Sequence, residues 1–499
     1  MRRILIFAAL ALVAAILGLN LQAQQTVEFT SYRVVVRTMK AETEPDANAL
    51  RRMVDASLGE TWTIDNVQGR PFEKELKPPA NVPGGAPDPR PRTAAAAWIG
   101  LHRLHATKVF TRVEPVLSRP FPTQPGTATP WHGECEPAWS GMPKGEPADG
   151  AFTDSTWSLG PKGANVFEAW KLSTGRGVTI AYPDTGYLLH PAVIPALLGR
   201  GFNFPALTND ALDTADDGVL QWPGHGTRTS SVILGRPYAL SNHWISGASP
   251  AAELMPLKVA HRVVLVDWID YDVDQVARAI RAAAIGDPNF VRRKADIISM
   301  SLGGPSNKDA LKEALAVAEA NNVIVLAAAG NQVPKREVVF PARFPNVIAV
   351  AASNYDGRNW DGSSKGPSIA FAAPGQNVWT AKHRAMGEQE YDCIEPSSGT
   401  SYAVATSAGV AALWLSYHRQ ALDARPDIDR SKVFKALAKC TARPIDLPED
   451  EQKQYGGGIL NAAALLAEAL PGRDGPAPGQ SPRCIRELRT VPPRPLVAN

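Results

Sequence analysis

The chain has 499 residues, 44% of them hydrophobic, which leaves room for roughly three domains and a large buried core. Its 52 basic and 49 acidic residues give a formal charge of +3, so no electrostatic case exists for nucleic acid or an anionic surface as partner. Function has to be read from side-chain chemistry instead.

At the N-terminus, Arg2 and Arg3 precede an apolar run over residues 4–19, and Leu21-Gln22-Ala23 presents a small residue for cleavage. This predicts an export signal over 1–23 and a secreted or periplasmic protein; an uncleaved membrane anchor is the alternative. Residues 27–118 read as a separate module. Alternation over 32–37 predicts a strand, and Leu50, Met53, Val54 and Leu58 mark a helix over 47–58. Strands are predicted at 61–67 and 72–76, then a Pro-rich stretch, an Ala-rich helix at 93–106 and a strand at 108–117. The order β-α-β-β-α-β is that of a small ferredoxin-like (split β-α-β) unit.

Residues 119–153 are rich in Pro and Gly without a sustained period, which predicts a linker open to cleavage. Short apolar runs follow at 178–182, 253–259, 296–301, 323–328 and 347–351, alternating with helical stretches such as 273–284. That pattern indicates an α/β domain over 154–470 with a mainly parallel sheet covered on both faces. Residues 471–499 hold seven prolines and no apolar period, and are expected to be an irregular tail, either pinned through Cys484 or disordered. Four cysteines, Cys135, Cys393, Cys440 and Cys484, suit an oxidising compartment and permit three pairings, with buried free thiols as the alternative.

Three motifs stand in order along this frame: Asp184-Thr185-Gly186, His225-Gly226-Thr227 and Gly399-Thr400-Ser401. They supply a carboxylate, an imidazole and a hydroxyl. A serine hydroxyl attacks a carbonyl once an imidazole takes its proton, and the imidazole needs an acid to fix its tautomer and stabilise its charge. Alone, each motif reads equally as a turn, a structural histidine or a helix cap. Together, in this order, they make chance agreement improbable: Asp184 directly follows a strand, and the small-residue helix over 402–415 puts Ser401 at a helix N-terminus near the sheet's carboxyl edge. Asn331, after the apolar run 323–326, is placed to donate to a developing oxyanion, although Gly-Asn is also a common turn.

These motifs, with Ser299-Met300-Ser301-Leu302-Gly303-Gly304, Ala328-Ala329-Gly330-Asn331, Phe371-Ala372-Ala373-Pro374-Gly375 and Tyr455-Gly456-Gly457-Gly458-Ile459-Leu460-Asn461-Ala462, resemble the subtilase family of serine endopeptidases over roughly 156–467. The resemblance implies a subtilisin-like three-layer fold, Asp184, His225 and Ser401 as catalytic triad, and Asn331 as oxyanion donor. It implies that Ser301, Leu302 and Gly303 pair as an edge strand with an extended substrate, while Ala328, Ala329 and Gly330 line the pocket for the residue before the scissile bond. The 27–118 module is similar to the family's propeptide, an intramolecular inhibitor that the enzyme cuts off itself. Expected partners are protein or peptide substrates and this propeptide, with no nucleic acid, no organic cofactor and a monomeric state.

The chain departs from the family at Arg228-Thr229-Ser230-Ser231 and at Tyr402-Ala403-Val404-Ala405-Thr406-Ser407, both on the helices carrying His225 and Ser401, and at Pro183. Val339 stands where relatives often have glycine, and is expected to narrow the specificity pocket toward small or modest side chains. Structural calcium is an open expectation: Asp210, Asp213, Asp216 and Asp217 could chelate it, but no ligand spacing is present and a solvated acidic loop is the preferred reading, so no metal ligand is assigned. Two other functions fit the same residues, a non-catalytic peptide binder and an ester hydrolase.

Overall fold

The computed structural model describes residues 31–38, 47–58, 62–66, 73–77, 110–118, 154–213, 224–240, 243–263, 269–271, 273–304, 307–331, 337–386, 389–473 and 475–494. The expected export signal, the 119–153 linker and the 93–106 helix lie outside them. The chain divides into two compact units.

In the first unit, β1 (Ser31–Thr38), β2 (Thr63–Asn66), β3 (Glu73–Lys77) and β4 (Phe110–Ser118) form an antiparallel sheet in the order β2-β3-β1-β4. A helix, Ala47–Leu58, lies between β1 and β2 in sequence. Its Leu50 and Val54, one turn apart, are buried, as is Leu76 of β3. Apolar residues at that spacing give a helix one face to hide.

Residues 179–397 carry, in chain order, β5 (Thr179–Asp184), β6 (Phe202–Asn203), β7 (Tyr238–Leu240), β8 (His243–Ile245), β9 (Glu253–Lys258), β10 (Ala260–Val263), β11 (Ile269–Tyr271), β12 (Ile297–Met300), β13 (Ile324–Ala328), β14 (Ile348–Ser353), β15 (Ile369–Pro374), β16 (Val378–Met386) and β17 (Gln389–Ser397). Seven of them form one sheet in the order β15-β14-β13-β12-β5-β9-β6, and every pairing in it is parallel. Both faces are covered because alternate residues of each strand point to opposite sides. Ile180, Tyr182, Leu326 and Val350 pack with helices His225–Leu234 and Thr400–Asp423, whereas Ala181, Met255, Ile298 and Val325 pack with Val273–Ile285 and Asp309–Ala320.

Chain order reverses between β5 and β12, since β6 and β9 are added on one side of β5 and β12 to β15 on the other. Such a reversal opens a crevice at the carboxyl ends of the two central strands. Asp184 ends β5, Ser301 follows β12 and Asn331 lies shortly after β13. The fold thereby brings three sequence-predicted residues to one edge.

The C-terminal segment differs from the expected irregular tail. Residues 482–488 form a helix, with Ser481 accepting from the Cys484 N–H as its cap and Pro482 in the first turn. A Cys440–Cys484 disulfide joins it to the Arg430–Thr441 helix. No cysteine among the described residues is free, so the free-thiol alternative is set aside for Cys393, Cys440 and Cys484; Cys135 lies outside the described residues.

Candidate active site

The Asp184 turn packs backbone to backbone against the His225 helix on one side and the Ala211 segment on the other, and two motif glycines make these approaches possible. Gly186 has φ +105, and a methyl group on it would lie 2.0 Å from the Ala211 carbonyl oxygen. A methyl group on Gly226 would lie 2.0 Å from the carbonyl oxygen of Gly186. Only glycine fits such positions. The contact is locked by the Thr185 hydroxyl, which accepts from the Gly226 N–H at 3.1 Å.

The three motif side chains converge. Asp184 Oδ1 and Oδ2 lie 2.8 Å and 3.1 Å from His225 Nδ1, and His225 Nε2 lies 3.2 Å from Ser401 Oγ. All three residues are buried. A carboxylate only accepts, so Nδ1 carries the imidazole proton and Nε2 is left to accept from the serine. Asp184 Oδ1 also accepts from the Thr185 N–H at 2.7 Å, and Oδ2 from the Tyr182 hydroxyl at 2.8 Å. Ser401 sits in the first turn of the Thr400–Asp423 helix, where leading N–H groups lack intrahelical partners and the dipole favours negative charge.

Asn331 stands across from this turn. Its Oδ1 accepts from the Thr400 N–H at 2.8 Å and the Thr400 hydroxyl at 2.7 Å, which leaves Nδ2 as the outward donor. A methyl group on Gly399 would sit 3.4 Å from Asn331 Nδ2 and 3.7 Å from the Ser401 amide nitrogen, so the two donors face one space. Ser301 lies against Ser401: Ser401 Oγ reaches the Ser301 carbonyl at 3.3 Å and Ser301 Oγ reaches the Ser401 carbonyl at 3.1 Å. Leu302, Ala328 and Ala329 are buried, while Gly303 and Gly330 are partly open. Val339 is wedged between those glycines, since a methyl on Gly303 would fall 2.3 Å from its Cγ2 and one on Gly330 3.0 Å from its Cγ1.

The acidic cluster before the His225 motif is not a solvated loop where it is described. Asp210 is buried and bonds the Tyr187 hydroxyl at 3.2 Å and Arg200 at 3.0 Å. Asp213 is buried with Lys258, whose Nζ lies 2.8 Å from Asp213 Oδ1 and donates to the Thr185 carbonyl at 2.8 Å. The Thr185 hydroxyl donates to Asp213 Oδ2 at 2.7 Å. Asp213 neutralises an ammonium and braces the Asp184 turn, Asp210 pairs with a guanidinium, and the burial of both contradicts the solvated reading. Asp216 and Asp217 lie outside the described residues. Among the described residues, no three acidic, His or Cys side chains are grouped to hold a metal ion.

Sequence reasoning missed Tyr182, Lys258 and the partners of Arg228. Arg228 is buried in the His225 helix and reaches Glu395 at 2.7 Å and Ser397 Oγ at 3.0 Å on β17. The same helix satisfies its other hydroxyls locally, Thr229 donating to the His225 carbonyl at 2.7 Å and Ser231 to the Arg228 carbonyl at 2.6 Å. The departures from the family at these positions are thus compensated polar packing. Tyr182 alone had a readable signal, since it lies two residues before Asp184 on one strand and must share its face.

With this geometry in place, the comparisons with known proteins are consistent. The model of the subtilase family matches residues 175–460, more than half of the chain. The major intracellular serine protease of Bacillus subtilis is 30% identical over 327 residues, covering 62% of this chain and 90% of that protein. An extracellular protease of Xanthomonas campestris is 28% identical over 344 residues, covering 63% of this chain and 56% of its own length. Among solved structures, a protease of Pseudoalteromonas arctica superposes with a TM-score of 0.54 at 25% identity, covering 63% of this chain and 96% of that one. The chain belongs to the subtilase family and is a serine endopeptidase built on an α/β fold with a parallel sheet.

Proposed function

We propose that this chain is an exported endopeptidase, made as a self-processed precursor, that cleaves peptide bonds through an acyl-enzyme on Ser401. One observation carries the reading: the His225 ring bridges Asp184 at 2.8 Å and Ser401 at 3.2 Å within a buried site. In this mechanism Ser401 Oγ attacks the scissile carbonyl while His225 Nε2 takes its proton, and Asp184 stabilises the charged ring. The oxyanion is met by Asn331 Nδ2 and the Ser401 N–H. His225 then protonates the leaving amine, and water releases the acyl group by the same route.

The substrate backbone is proposed to pair with Ser301, Leu302 and Gly303, its residue before the cut entering between this segment and Ala328–Ala329–Gly330. Val339 between the two glycines favours small side chains there. The first unit is proposed as the propeptide and intramolecular inhibitor, with the cut inside 119–153. Relatives bear both intracellular and extracellular names, so export rests on the Arg2-Arg3 and apolar leader. Among the described residues no helix is long and apolar enough to cross a membrane.

Expression of the full chain beside Ser401→Ala tests this reading. The wild type is expected to lose mass through a cut within 119–153 and to hydrolyse casein faster than short acyl esters; Ser401→Ala should remain uncut and inactive. Identical processing of both proteins would overturn it.

A further inference from the structure

We propose that Tyr182 is a positioning residue of the triad, anchoring the Asp184 carboxylate through its phenolic O–H and setting how strongly that carboxylate supports the charged form of His225. This rests on the reading of Asp184, His225 and Ser401 as the catalytic triad. Tyr182 and Asp184 are residues i and i+2 of β5, so both side chains rise from one face of the sheet, toward the His225 and Ser401 helices. Tyr182 is fully buried there, and its hydroxyl lies 2.8 Å from Asp184 Oδ2, on the opposite oxygen from the shorter His225 bond.

Proton accounting gives the direction of that bond. The Tyr182 hydroxyl also touches Thr229 Oγ1, and Thr229 donates its proton to the His225 carbonyl at 2.7 Å. An ionised carboxylate is the strongest acceptor in this set, so the phenol proton goes to Asp184. Burial first, and the Asp184 charge second, push the Tyr182 phenol well above its ordinary range, which keeps the proton in place at any working pH. The Tyr182 hydroxyl, packed against Thr229 Oγ1, therefore turns its one proton to the Asp184 carboxylate.

The other charged groups around the site carry partners of their own. On β9, Lys258 bonds Asp213 and the Thr185 carbonyl; on the His225 helix, Arg228 shares Glu395 of β17 with Lys382 of β16. The remaining neighbours, Ser301 after β12 and Ser401, present hydroxyls. Tyr182 is thus the side-chain donor that draws charge from the carboxylate oxygen facing away from the shorter imidazole bond. Without it, more negative charge faces the ring and the resting imidazole holds its proton to higher pH, while the carboxylate loses an orienting bond.

The test compares full-chain wild type, Tyr182→Phe and Ser401→Ala on a chromogenic peptide across the acidic limb of kcat/KM, with thermal melts confirming folding. Tyr182→Phe is expected to move the acidic limb upward by about half a pH unit or more and to lower kcat roughly 3–30-fold, with KM changed less than about twofold. A profile and kcat superimposing on wild type would overturn the proposal. Site-specific replacement of Tyr182 by 3-fluorotyrosine, a stronger donor of nearly equal size, is expected to move the limb to lower pH. Should Tyr182→Phe fail to fold, this variant decides alone: a downward shift supports the proposal and an unmoved limb overturns it. Wild type without Ser401-dependent hydrolysis would instead overturn the triad reading, and this proposal with it.

Discussion

Replacing Lys258 by Met keeps the buried stem and removes the ammonium that stands 2.8 Å from Asp213 Oδ1 and 2.8 Å from the Thr185 carbonyl. Both side chains are 2% exposed, so water cannot take over its role. Breaking a buried pair by removing one partner costs about 3–5 kcal/mol, because the remaining charge stays desolvated. For a unit of this size that loss corresponds to a melting temperature roughly 4–6 °C lower. The assay is a thermal melt in the Ser401→Ala background, where self-digestion does not distort the transition. Adding Asp213→Leu should recover most of the loss, since well-packed apolar pairs replace buried ion pairs at little cost. Activity should nevertheless stay reduced in the otherwise wild-type double variant, because the Thr185 hydroxyl has lost its acceptor and no longer braces the Asp184 turn. A Lys258→Met melt within about 1 °C of its parent would refute the reasoning that this pair is buried and coupled.

Asn331→Ala should lower kcat by about 10²–10³, the loss measured for removing the side-chain oxyanion donor in subtilisin, with KM little changed; steady-state kinetics on a peptide substrate checks this. Val339→Gly should open the pocket between Gly303 and Gly330 and raise kcat/KM for aromatic relative to small residues before the cut by roughly 10-fold or more, read from a peptide library. Acid should destabilise the fold through His190, whose buried ring accepts from the Ala192 N–H at Nδ1 and donates from Nε2 to the Cys393 carbonyl. Burial lowers it from 6.5 to about 4, so the folded state takes up its proton later than the unfolded chain. Its contribution is present above the unfolded value and is lost as pH falls between the two, the loss reaching about 3 kcal/mol once pH is below both. Melts from pH 7 to 4 should show that slope, and His190→Gln should flatten it.

The parallel strands were legible because strands buried on both faces read as unbroken apolar runs, as over 323–328 and 347–351. The Asp184 and His225 motifs were legible because their glycines, Gly186 and Gly226, stand where a side chain would strike a neighbouring backbone carbonyl. What escaped were polar residues inside the core. Lys258 is hidden inside the apolar run 253–259 and Asp213 reads as part of a solvated loop, because the bond joining them spans 45 residues of sequence. Glu395 lies on the charged hairpin β16–β17, whose residues show no apolar period, yet it neutralises Arg228 in the His225 helix. The short Pro482–Leu488 helix was hidden among prolines, although Ser481-Pro482 is an ordinary helix opening.

The account depends on Ser401 being activated by His225. A fluorophosphonate probe followed by peptide mass spectrometry tests that dependence directly. One adduct on Ser401 is predicted in the wild type, absent in Ser401→Ala and reduced by orders of magnitude in His225→Ala. An adduct on another serine, or undiminished labelling of Ser401 after His225→Ala, would contradict it.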